Sequence, residues 1–182
     1  IGVGKTTLVR MLRQELNTGM LLEVFEENPF LSSFYQDRTR YAFQTQMFFL
    51  LSRYRQQQQV PAHLARDALI SDYMFAKDRL FAELNLQGDE WEIYQQIHGA
   101  LAQQIAQPDL VIYLQADTEV LMARITQRDR PYERNMDPDY IEALRQAYDR
   151  FFLGYQDTSV LTIDTNDINF VTTPVDFQSI VT

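Results

Sequence analysis

The chain has 182 residues, 46% of them hydrophobic, a net charge of −9 and no cysteine. Its length and apolar content suit one globular domain with a substantial core, and the absence of cysteine excludes disulfides and thiol chemistry. The negative charge disfavours nucleic-acid backbones and acidic membranes, so the basic residues are expected to act locally on a small anionic ligand. Two histidines far apart, His63 and His98, argue against a zinc site. With no signal-like start and no apolar run of membrane length, the expected compartment is the cytoplasm.

The opening stretch Gly2-Val3-Gly4-Lys5-Thr6-Thr7 reads as the second half of a phosphate-binding loop, Gly-x₄-Gly-Lys-Ser/Thr. Its first glycine and the strand before it are expected upstream of Ile1. In such a loop backbone N–H groups converge on phosphate oxygens, the lysine adds a point charge and the hydroxyl ligates Mg²⁺. Gly2, Gly4, Lys5, Thr6 and Thr7 occupy those positions, with Thr6 as the metal ligand. Thr7, Leu8, Met11, Leu12 and Leu16 then form a helical apolar stripe ending near Asn17 and Gly19, so an ordinary turn into a helix is the competing reading.

Strand-like runs follow at 20–25, 67–71, 109–114 and 159–164. Helical patterns separate them, over 40–59, over 89–106, from a cap at Asp117 through Arg128, and from Asp137-Pro138 to about Leu153. This alternation implies an α/β fold with a parallel sheet of about five strands, counting the one expected upstream, flanked by helices and binding at the strands' carboxyl ends. No internal repeat or linker divides residues 1–182, and the low-complexity stretch Arg55 to Gln59 reads as a solvated helix end before Pro61.

Three places at strand ends carry candidate chemistry. Glu23 precedes the turn Glu26-Glu27-Asn28-Pro29 and the helical start Tyr35-Gln36-Asp37. A carboxylate there can take a proton from a hydroxyl, although glutamates bounding a turn are commonly just solvated. Asp72 ends the run 67–71, placed either for Mg²⁺ or as a plain strand cap. Arg124 and Arg128 lie one turn apart on a helix, and Arg130 and Arg134 follow around Pro131. A helix dipole accounts for basic residues in the last turn but not for a cluster that continues into the loop. The cluster predicts a mobile arginine lid, about 124–136, that stabilises a migrating phosphoryl group and shuts out water.

Taken together, the stretches resemble the deoxynucleoside kinase family, which includes deoxycytidine, deoxyguanosine and bacterial deoxyadenosine kinases. The resemblance runs nearly end to end and rests on "GVGKTTL", "EVFEENPFLSSFYQD", "FQTQMFFLLSRYR", "SDYMFAKDR", "VIYLQADTEVLMARI" and "RITQRDRPYE", in family order and spacing. It implies a P-loop kinase that transfers the terminal phosphate of ATP, with Mg²⁺, to the 5′-hydroxyl of a deoxyribonucleoside for nucleotide salvage. Glu23, five residues before Asn28-Pro29, is implied as the general base, and Asp72 as the acid near Mg²⁺. The resemblance implies Tyr35 and Glu133 on the sugar 3′-hydroxyl, Gln46 and Asp78 on the base edge, and Arg53 beside that pair. Arg124, Arg128 and Arg130 match phosphate-clamping lid arginines.

Gln46 and Arg53 share a helix face that could look to solvent; Phe48, Phe49 and Tyr54 argue instead for an inward pocket. The bacterial deoxyadenosine/deoxyguanosine branch is the nearest match, which implies a deoxypurine acceptor, and the family implies a homodimer, with the helices from Arg40 and Asp89 as its expected interface. One departure stands out: Tyr73 follows Asp72 where most relatives have arginine, and Arg79 is the candidate to compensate. Two other readings stay open. A thymidylate-kinase-like monophosphate kinase would need further cations for its acceptor phosphate, and a regulatory nucleotide-binding subunit with lapsed catalysis would account for Tyr73.

Overall fold

The computed structural model describes residues 1–25 and 27–181. Helix α1, Lys5–Leu16, starts from Gly4 and buries Leu8, Val9 and Leu12 on one face. Asn17 stops it in a left-handed conformation at φ 51°, returning its N–H to the Arg13 carbonyl. Strand β1, Gly19–Leu21, runs parallel to β2, Leu69–Ser71, with Gly19 opposite Leu69. Strands β3, Leu110–Gln115, and β4, Ser159–Asp164, form a second parallel pair registered from Leu110↔Ser159 to Gln115↔Asp164.

Helices fill each crossover, as parallel pairing requires. Helices α2 (Leu31–Gln36), α3 (Arg38–Gln57) and α4 (Val60–Leu64) join β1 to β2. Helices α5 (Lys77–Asn85) and α6 (Gly88–Ala102) lead to β3. Helix α7 (Thr118–Arg128), a 3₁₀ turn at Pro131–Glu133 and α8 (Pro138–Gly154) lead to β4, and α9 (Pro174–Val181) follows it. Asp37 caps α3 by accepting from the Arg40 N–H at 3.1 Å, and Asp137 caps α8 by accepting from the Asp139 N–H at 3.0 Å. Asp117 does precede α7, but its side chain makes no capping bond; its own N–H is held at 2.8 Å by the Asn166 side chain. The core joins α1, α2, α3, β3, α7 and α8 through Leu8, Phe34, Leu50, Leu114, Ile125 and Ile141. Among the described residues no helix is long and apolar enough to cross a membrane.

The α/β class, the four strand runs and their parallel pairing agree with expectation; the strand count is four among the described residues, below the about five expected with the upstream strand. The strands form two separate parallel pairs, with a cavity of about 860 Å³ between them. All of β2 and β3 line it, but only Leu21 of β1 and Leu161 of β4, so β2 and β3 face each other across the gap. Strand β1 is also shorter than expected. Beyond Leu21 the chain leaves the ladder: Leu21 O accepts from Asp72 N–H at 3.3 Å, and Glu23 N–H donates to the Asp72 carboxylate at 2.8 Å. That divergence brings the residues after β1 and β2 together at one end of the sheet.

Candidate active site

The phosphate loop enters α1 with Gly2 at φ 78° and Gly4 at φ 92°, conformations that favour glycine. A Cβ on Gly4 would also lie 2.8 Å from the Phe170 ring, so the loop packs closely under the segment after β4. Lys5, Thr6 and Thr7 open the helix beside a cavity of about 310 Å³. The Thr6 hydroxyl donates to Asp72 at 2.6 Å, and the other Asp72 oxygen takes the Glu23 N–H. Burial, then repulsion from Lys77, pushes the Lys5 ammonium down to about 8.

Glu23 hangs over this cavity just beyond β1. Its Oε1 accepts from Arg53 Nε at 2.8 Å and from Arg53 Nη2, and its Oε2 accepts from Lys77 Nζ at 3.0 Å. Burial pushes its carboxyl up, but Arg53 and Lys77 overcome that and hold it well below the usual carboxylate range. Arg53 also pairs through Nη1 with Asp78, which is fully buried and accepts from the Tyr94 hydroxyl at 2.7 Å. One guanidinium therefore ties the general-base candidate to the base-edge candidate. It is covered by the Phe49 ring, 4.8 Å from centroid to guanidinium carbon.

One turn before Phe49 and two before Arg53 on α3, Gln46 lines the same cavity; it is 2% exposed, and its Oε1 has no hydrogen-bond partner. A buried amide oxygen without a partner invites a ligand donor. The inward placement expected of Gln46 and Arg53 is thus observed, with Phe49 as their apolar wall. Tyr54 instead turns its hydroxyl to Gln104 at 2.6 Å.

The lid residues close the opposite side. Arg128 donates to Glu133, Nε at 3.2 Å, and Arg130 Nη1 lies 3.8 Å from the same carboxylate while its guanidinium covers Phe25 at 4.2 Å. Tyr35 stacks on Tyr132 with centroids 6.1 Å apart, and burial raises its hydroxyl above the ordinary tyrosine range. The turn before α2 is set by buried Asn28, which donates to the Thr45 carbonyl at 3.2 Å and accepts from Phe30 N–H at 2.9 Å. Glu26 of that turn lies outside the described residues.

Thirteen of the fifteen site residues read from the sequence line this one cavity, since Asp78 acts from behind Arg53 and Arg124 stands apart. Of the expected lid arginines, Arg124 lies outside the cavity. Its guanidinium donates to the Thr165 hydroxyl at 2.9 Å and the Thr165 carbonyl at 2.6 Å, at the end of β4, and does not line the cavity. The helix explains it: Arg124 and Arg128 sit a turn apart on α7, but only the last turn reaches the cavity. Arg79, the candidate to compensate for Tyr73, is exposed, and Tyr73 packs with Leu21 and Val60. Beside Arg53, the second cation on Glu23 is Lys77, which sequence reasoning did not single out.

Among the described residues no three acidic, histidine or cysteine side chains gather as a metal cage. Thr6 and Asp72 nonetheless make a donor set that fits Mg²⁺, which is commonly held by one or two protein oxygens with phosphate and water completing its shell.

The deoxynucleoside kinase family model matches residues 1–182. The chain is 35% identical over 186 residues to the deoxyguanosine kinase of Bacillus subtilis, covering 99% of the chain and 90% of that relative. It is 28% identical over 189 residues to the deoxyadenosine/deoxycytidine kinase of the same organism, covering 100% and 86%. A solved structure of deoxyadenosine kinase from M. mycoides with products dCMP and a flexible dCDP bound superimposes with a TM-score of 0.87 at 22% identity, over 100% of this chain and 93% of that one.

Proposed function

The chain belongs to the deoxynucleoside kinase family, ATP-dependent enzymes that phosphorylate nucleosides for salvage, and on that premise we propose that its acceptor is deoxyguanosine or deoxyadenosine, phosphorylated at the 5′-hydroxyl with Glu23 as general base. The observation that carries this reading is Glu23 itself. Its carboxylate lies between the phosphate loop and the Gln46, Arg53 and Asp78 group, where a nucleoside held by its base would offer a hydroxyl to an ionised acceptor. Gln46 supplies an unpartnered acceptor beside its amide donors, a pairing that suits a purine edge. Tyr35 and Glu133 face the sugar from the lid side, and Arg128 and Arg130 meet the phosphates.

Gly2, Gly4, Lys5, Thr6 and Thr7 hold the ATP phosphates, and Thr6 with Asp72 would hold Mg²⁺, whose charge stabilises the phosphates when bound. The 5′-hydroxyl proton passes to Glu23 as the hydroxyl oxygen attacks the terminal phosphorus. Exposed Leu51 on α3 and Ile93 on α6 support a homodimer across those helices, checked by sedimentation, and the ATP requirement favours the cytoplasm as the compartment.

Mg-ATP-dependent phosphorylation of deoxyadenosine, deoxyguanosine, deoxycytidine and thymidine tests the reading, with Glu23→Gln as the control. Turnover is expected on a deoxypurine and should fall about 10²- to 10⁴-fold in Glu23→Gln while nucleoside binding persists. Full turnover by Glu23→Gln would remove Glu23 from the chemistry, and a preference for thymidine would overturn the acceptor assignment.

A further inference from the structure

Lys77 carries a charge that the nucleoside and ATP contacts above leave unused. It opens α5, is 7% exposed, and lies with its Nζ 3.0 Å from Glu23 Oε2 and 5.6 Å from the Phe81 ring centroid. An ammonium has three donors, so a buried one is costly unless they are satisfied. Among the described side chains only Glu23 bonds it, and that carboxylate already serves Arg53 through Oε1. Lys77 also lines the 310 Å³ cavity with Lys5, Thr6, Asp72 and Arg128. The two ammonium groups of Lys5 and Lys77 and the Arg128 guanidinium line a common gap with the Glu23 and Asp72 carboxylates, a place for an anion that arrives next to a hydroxyl.

Neither Tyr73 nor Arg79 supplies a cation there, because Tyr73 is packed among Leu21 and Val60 and Arg79 is exposed. The geometry points to Lys77 as a catalytic residue of the transfer: it fixes Glu23 Oε2 toward the acceptor hydroxyl and contacts an oxygen of the migrating phosphoryl group opposite Lys5. This assignment rests on the kinase reading above. In the step, the 5′ O–H bond breaks with its proton going to Glu23, and the new O–P bond forms. The bond from phosphorus to the β,γ-bridging oxygen breaks, and ADP leaves with that electron pair. Lys77 stays protonated throughout and offsets the charge on the three phosphoryl oxygens.

Two variants of the full chain test the role. Lys77→Met removes the charge at similar length and apolar volume, and Lys77→Arg restores a cation. Steady-state kinetics for nucleoside and ATP are measured beside calorimetric nucleoside binding and thermal unfolding. Lys77→Met is expected to lower kcat about 10²- to 10³-fold with both KM values within about threefold, and Lys77→Arg to recover at least about tenfold of that loss. A kcat change under about fivefold in Lys77→Met would overturn the assignment. So would a kcat loss that tracks lost nucleoside binding or lost folded protein, which would make Lys77 a packing residue. Failure of the kinase reading shows separately, as absence of turnover in the unaltered chain, and would take this assignment with it.

Discussion

Arg53 is the residue on which the site's two halves meet. It reaches Glu23 through Nε and Nη2 and Asp78 through Nη1, at 4% exposure. Buried ions of this kind are stable only as a complete set, because removing one partner leaves another charge uncompensated. Asp78→Asn keeps the shape and an oxygen for the Tyr94 hydroxyl but removes the charge facing Nη1. The variant is expected to lose about 3 kcal/mol of stability in urea unfolding. It should also raise the nucleoside KM, since the guanidinium then leans toward Glu23. A loss within about 1 kcal/mol would show that Glu23 alone satisfies Arg53. This set was half legible in the sequence. Asp78, Arg53 and Glu23 were singled out through the family resemblance, but Lys77 was not. A lysine in the first turn of a helix is ordinarily solvated, and only the packing of α5 against α3 shows that Lys77 and Asp78 face inward while Arg79 faces out.

Helix α7 carries its two arginines to different places. Arg124 holds Thr165, whose hydroxyl in turn donates to the Gln115 carbonyl at 2.8 Å, so one side chain straps α7 to the ends of β3 and β4. Arg128, a turn later, meets Glu133 at the cavity. Arg124→Ala is therefore expected to lower stability by about 1.5–3 kcal/mol, the scale for hydrogen bonds to a charged group, with a modest change in rate. Arg128→Ala should instead lower kcat by about 10³-fold or more, the scale for removing a transition-state arginine. Parallel denaturation and kinetics separate the two, and equal rate losses would return Arg124 to the chemistry. Helices α1, α3, α6, α7 and α8 were legible from their period, with Asp37 and Asp137 at two starts and Asn17 at a stop, whereas Asp117 makes no capping bond and the shorter α2, α4, α5 and α9 were not read. Side-chain destinations were not legible, since residues a turn apart share a face in sequence even where that face runs past the end of the cavity.

Over the whole molecule, the four strands were legible because each carries its own apolar run, and their parallel sense followed from the helices between them; which strand neighbours which was not, since that depends on contacts between distant segments. A second whole-molecule property is the contrast between a net charge of −9 and a cavity lined by Lys5, Arg53, Lys77, Arg128 and Arg130. Concentrating cations in a buried place costs the free protein stability, and Lys5 shows the sign. Its ammonium is lowered from the ordinary 10.5 to about 8, so between those pH values the unfolded chain keeps a proton that the folded chain has released. Stability therefore rises with pH through that window, and the full cost is present below about 8.

ATP reverses the preference, because its phosphates favour the charged lysine. Binding above about pH 8 must then take up a proton, and affinity should fall by up to about tenfold per pH unit. Burial lowers the Lys77 ammonium too, while its ion pair with Glu23 opposes that shift. Calorimetry of ATP binding in buffers of different ionisation enthalpy, from about pH 7 to 9.5, measures the uptake directly. Lys5→Arg, which stays charged throughout, should abolish the Lys5 share of the uptake. Equal uptake in Lys5→Arg and the unaltered chain would assign the proton elsewhere, and no uptake in either would mean that both lysines are already charged in the free protein.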